Sequence, residues 1–207
     1  MRANRPGRVV LTPMHARLAL RLLVPLLTGA YAWSRFADAE HWDLLDDVNL
    51  AIHEAGHLVF GFFGDWLQFA GGSLFQVLVP LVFAGYFTAR RQRFSASVVL
   101  GWAGASLLNV ARYVADARAQ ELPLLGGENA IHDWWYLLTE WGMLAREQEI
   151  AQGMRGVAAF LFVLAVAGTL AFAREGEQGD NCEGATPDAS NGSVRTVALP
   201  VEHAPDE

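Results

Sequence analysis

Lysine is absent from this chain and cysteine occurs once, at position 182. A single thiol excludes an intrachain disulfide framework and any cysteine-based metal site, since both need several sulfurs. All fifteen basic residues are arginine; 22 acidic residues outnumber them, for a formal net charge of −7. That balance argues against nucleic acid as a partner, because phosphate recognition needs a basic surface. Histidine is also scarce. Six imidazoles fall well short of what diiron hydroxylases and desaturases require. The 207 residues hold no internal repeat and no second buried charge cluster, so a channel or transport pathway has little support.

Apolar residues, by contrast, make up 53% of the chain, and the mean hydropathy is +0.22 although the segment from Arg174 onward is predominantly polar. This composition fits an integral membrane protein better than a soluble enzyme. Behind Arg2, Arg5, Arg8 and Arg17, the run from Leu18 to Trp33 reads as an uncleaved anchor helix, because no clear cleavage site follows it. Further apolar runs pass through Val79 and Pro80 to the Arg90, Arg91 and Arg93 cluster, from Phe94 to Val114, and from Gly156 to Ala173. Gly101, Gly104, Ala105 and Ser106 are small residues of the kind that let helices approach closely in lipid. Between the last two runs, Trp134, Leu138, Trp141 and Ala145 repeat at helical spacing, which predicts an amphipathic interfacial helix over 134–150.

The expected fold is therefore all-α and polytopic, with about four spanning helices. Residues 1–17 form an arginine-rich cytoplasmic N-terminus, 18–173 a membrane-embedded helical domain, and 174–207 a disordered acidic tail. The positive-inside rule places both arginine-rich segments in the cytoplasm. This requires the helix around His53 to be short or re-entrant; if it crosses completely, the Arg90 cluster falls outside. The acidic segment from Ser34 to Asp47 leads into that helix, with Asp46 or Asp47 placed to cap its first turn.

His53-Glu54-Ala55-Gly56-His57 carries the chemistry. On a helix the two imidazoles share one face and can reach a single ion, while Glu54 flanks it as a general base. This is the HExxH arrangement of zinc hydrolases. Leu50, Ala51 and Ile52 precede the motif and Leu58 to Phe63 follow it, so the ionisable groups sit in an almost wholly apolar helix, where they are expensive. Hydrolysis needs a third protein ligand and an open fourth position. His132 leads as the third ligand; Asp133 can orient His132 or bind the metal itself, and Asp116 is the next alternative. His41 and Glu128 stand in reserve. For each carboxylate the plainer role is a helix cap or an ion pair.

An HExxH inside an apolar helix, followed by a glycine-rich turn and further spans, resembles the membrane-embedded zinc metalloproteases of the site-2 protease type. The resemblance implies zinc on His53 and His57, Glu54 as catalytic base, a membrane-protein or peptide substrate, and residence in the bilayer of a bacterial inner membrane. In that family a later aspartate in an L-D-G context is the third ligand. Here Pro123-Leu124-Leu125-Gly126-Gly127 has no aspartate before its glycines, so the resemblance covers about ten residues closely and indicates a divergent branch. Two other readings stand beside it: a membrane metal-binding protein without hydrolytic activity, and a peptidase of the CAAX-processing type using Glu128.

Overall fold

A backbone placed in lipid must satisfy its own polar groups, and this chain does so with helices alone: among the described residues no strand occurs. The computed structural model describes residues 13–38, 41–123, 125 and 131–174. The expected cytoplasmic N-terminus up to residue 12, Glu128, and the tail from residue 175 with its expected disorder lie outside the described residues.

Helix α1 runs over Pro13–Ala37 and α2 over Leu44–Phe60. The start of α2 is a reciprocal box. The Asp43 side chain accepts from the Leu45 and Asp46 amides, and the Asp46 carboxylate accepts from the Asp43 amide. The cap is thus Asp43, one turn before the positions expected from the sequence, with Asp46 closing the box. A 3-10 turn at Gly61–Phe63 and Gly64, at φ +100°, reverse the chain into α3, Asp65–Ala89. Only glycine takes that dihedral without strain. Next come α4, Arg93–Ala115, then α5, Asp133–Glu140, a 3-10 turn at Leu144–Arg146, and α6, Glu147–Ala171.

Among the described residues, three helical segments are long and apolar enough to cross a membrane: α3, α4, and Leu144–Ala171, which contains α6. Helix α1 matches α3 in length but includes Arg17, Arg21 and Arg35. The expected interfacial helix is shorter than its periodicity implied. It stops at Glu140 because Gly142 turns left-handed at φ +65°, and α6 starts at Glu147, well before Gly156.

Helix α4 packs most extensively on α6, α2 lies on α3, α3 on α4, and α1 on α6. Small residues make the central seam: a Cβ on Gly104 would stand 3.1 Å from the Phe162 ring, and Ala103, Ala158 and Ala165 are fully buried. Helix α5 is braced against α3 by Trp134, whose indole N–H donates to Ser73 Oγ at 3.0 Å. The bundle has two unlike poles. At one, Arg21 stacks on Phe94 and donates to the Ala173 carbonyl, while Arg93 stacks on Phe172. At the other, Arg35 near the end of α1 meets Asp46 at the start of α2.

Candidate metal centre

The site begins with an unusually close crossing of α2 and α3. A Cβ on Gly56 would collide with the Gly71 carbonyl, and one on Gly71 would stand 2.9 Å from the Gly56 carbonyl. The two backbones therefore touch. Gly71 and Gly72 lie inside α3, where they admit the motif helix. Gly72 also makes room for His53. A Cβ there would lie 2.5 Å from His53 Nε2, so its missing side chain is the space the imidazole occupies.

With α2 seated, His53 and His57 project one turn apart toward the start of α5. His53 Nε2 lies 3.0 Å and His57 Nε2 3.3 Å from the same oxygen, Asp133 Oδ2. These three side chains are a group able to hold a metal ion, with the ligand atoms all within 4.8 Å of one another. Ligands about 2.0–2.1 Å from a tetrahedral zinc stand about 3.3–3.4 Å apart, so the two imidazole–carboxylate spacings suit edges of such a site with slight expansion. They also suit hydrogen bonds, and the outer ring nitrogens separate the two cases.

His57 Nδ1 lies 2.7 Å from the Gln68 main-chain carbonyl. A carbonyl only accepts, so the proton sits on Nδ1 and a neutral His57 turns a bare lone pair toward Asp133. Two acceptors facing each other need a positive charge between them. In the metal-free protein that charge is a proton: the hydrogen bond to Asp133 lifts the His57 imidazole to about 8 although burial works the other way. Burial would raise the Asp133 carboxyl, but hydrogen bonds from His53 and His57 outweigh it and hold the group below the usual carboxylate range. A divalent cation suits the same slot.

His132 is differently committed. It is the N-cap of α5, and its Nδ1 accepts from the Trp135 amide at 3.3 Å. The neutral ring's proton is then on Nε2, which points to Asp116 Oδ2 at 3.5 Å, longer than a good hydrogen bond. Neither nitrogen offers a lone pair to an ion. The ring is 1% exposed, stacks on Tyr113 at 4.3 Å, and is held neutral by burial against the pull of Asp116 and Asp133. Asp116 itself accepts from the Glu121 and Leu122 amides, so it ties down the chain leaving α4. The structure thus joins Asp133 to His53 and His57, and places His132 and Asp116 together in a supporting pair. His41 is exposed and offers Arg35 its carbonyl.

Above the three side chains opens a cavity of about 690 Å³. Glu54, exposed on α2, lines it beside His53 and His57, and Leu50, Val110 and Ile131 contribute apolar wall. A cavity of this size, apolar with a few convergent polar groups, fits the general form of a small-ligand or substrate site. No protein-family model, no curated protein and no solved structure matches this chain.

Sequence reasoning missed Gln76, which is 1% exposed and 3.2 Å from His53 Nδ1. Its signal was available: an amide in the middle of a spanning apolar helix needs a polar partner. Gly56 and Gly72 carried no comparable signal, because their roles exist only where two helices meet.

Proposed function

We propose that the protein is a membrane-embedded zinc-dependent metalloprotease that hydrolyses peptide bonds in or near the bilayer. His53, His57 and Asp133 are its metal ligands, and Glu54 is its general base. The observation that carries this reading is the convergence of two imidazole Nε2 atoms on one carboxylate oxygen at 3.0 and 3.3 Å, with the outer nitrogen of His57 bound to a carbonyl. Two nitrogens and one oxygen leave a fourth position free, as catalytic zinc sites do. When bound, zinc supplies Lewis acidity toward a carbonyl and acidifies water.

The remaining work falls to the chain. Glu54, on the cavity wall, accepts a proton from the attacking water and returns it to the departing amine. The apolar wall of Leu50, Val110 and Ile131 excludes bulk water and receives apolar side chains flanking the scissile bond, so the substrates are membrane-protein segments. Asp133 also supports the site-2 protease resemblance, in which an aspartate is the third ligand, although it stands in a His-Asp-Trp context.

In this reading α1 is a fourth span parallel to α4, and α2 dips in from the far side and returns through Gly64. The arginine pole faces the cytoplasm of a bacterial cell and the metal pole faces outward. The decisive variant is Glu54→Gln, which is expected to keep zinc and abolish cleavage, because an amide cannot take the water's proton. Membrane-protein fragments compared between cells carrying wild type and Glu54→Gln report this. An identical fragment pattern would favour a metal-binding protein without hydrolytic activity.

A further inference from the structure

A continuous line of buried and half-buried polar side chains runs from the end of α1 to the motif, and each link has a fixed direction. Arg35 and Asp46 are 4% and 2% exposed and form an ion pair, with 3.1 Å from Arg35 to each Asp46 oxygen. Asp46 Oδ1 also stands 2.9 Å from Asn109 Nδ2. An ion-paired carboxylate only accepts, so Asn109 must turn its NH2 toward Asp46 and its oxygen away. That oxygen accepts from Gln76 Nε2 at 2.8 Å, and the same NH2 group reaches the Ser106 carbonyl at 3.4 Å. Gln76 is thereby oriented too. Its Oε1 is left facing His53 Nδ1 at 3.2 Å.

An amide oxygen cannot donate, so a proton on His53 Nδ1 meets Gln76. Nε2, 3.0 Å from Asp133 Oδ2, shares a proton with that carboxylate in the metal-free protein and has its lone pair free for an ion that takes the proton's place. We propose that Arg35, Asp46, Asn109 and Gln76 form a positioning chain that fixes the His53 tautomer and so presents its Nε2 lone pair to the metal. The inference rests on the metal-site reading above but does not depend on proteolysis. Arg35, on a helix that supplies no ligand, thereby sets the direction of a bond four side chains away. Outer partners of metal-bound imidazoles raise ligand basicity and hold the ring, and losing one typically weakens metal binding about 10–100-fold.

Two measurements test it on the full chain in detergent. Nitrogen-15 NMR of histidine-labelled, metal-free protein at alkaline pH should show His53 protonated at Nδ1; a ring protonated at Nε2 with Nδ1 bare in the wild type would overturn the proposal. Zinc titration should find Gln76→Leu weakened about 10–100-fold, Asn109→Leu weakened as well, and Gln76→Glu close to wild type, since a carboxylate also accepts from Nδ1. Equal affinity in Gln76→Leu and wild type, or a loss in Gln76→Glu as large as in Gln76→Leu, would reduce the chain to a packing device. If Gln76→Leu fails to fold, the wild-type tautomer and Gln76→Glu still decide. Absence of zinc binding in the wild type would end the metal reading while the His53 tautomer remained independently measured.

Discussion

His132 and Asp133 are adjacent, yet one caps a helix and the other faces the motif. The division follows from where α5 begins: His132 has an extended backbone at φ −70°, ψ 117°, and its ring folds over the first turn, while Asp133 starts the helix proper and points at α2. Asp133→Ala should therefore weaken zinc binding by more than about 100-fold, beyond the range for an outer partner. His132→Ala should keep stoichiometric zinc and lower the unfolding temperature, through loss of a cap and a buried ring worth about 1–3 kcal/mol. Metal analysis beside thermal melts reads both, and zinc lost only in His132→Ala would reverse the assignment. The His57–Asp133 pair has its own signature. Because the imidazole is raised to about 8, its ion pair stabilises the metal-free protein below the ordinary histidine value near 6.5 and is lost as pH rises through about 8. Melts of chelator-treated protein should fall across that window. Zinc-loaded protein, with the slot filled by the ion, should not follow.

At the scale of elements, the site depends on how closely α3 admits α2. Gly72→Ala places a methyl 2.5 Å from His53 Nε2, so the ring must leave its position. Overpacking of this kind costs about 1–3 kcal/mol, and here it should also impair zinc binding. Gly85→Ala, on the same helix with nothing within 4 Å, should be neutral or stabilising, since alanine is the better helix former. Zinc titration of the two variants compares them, and equal zinc affinity would show that the crossing is not what seats His53. Gln76 and Ser73 belong to the same logic. One α3 face supplies the glycines, the Gln76 contact to His53 and the Ser73 anchor of α5, which is why a single helix can align both halves of the site.

For the whole molecule, Arg21 and Arg93 lie at the pole opposite the candidate metal centre. Arg21, Arg93 and Ala173 gather at one end, and His53, Asp133 and Arg35 at the other. With the arginine pole in the cytoplasm, a cysteine at Gln92 should react with membrane-impermeant reagent only after the inner face is opened, and one at Glu140 should react in intact cells. Both positions are exposed, and Cys182 must first be replaced. Outside labelling of Gln92→Cys would exclude the four-span arrangement.

The sequence by itself determined the helical class, the apolar runs that became α3, α4 and α6, and the pairing of His53 with His57, because each depends on local spacing along one helix. It also offered His132, Asp133 and Asp116, in the stretch from 116 to 133, as partners for that pair. Which residue of that stretch met the imidazoles was decided only by tertiary structure, since the direction of a side chain at the start of α5 depends on where Trp134 pins that helix to Ser73. The same holds for Gly71 and Gly72. Inside the fold they are the surface on which the motif rests, and contact between two backbones is a property of neither helix alone.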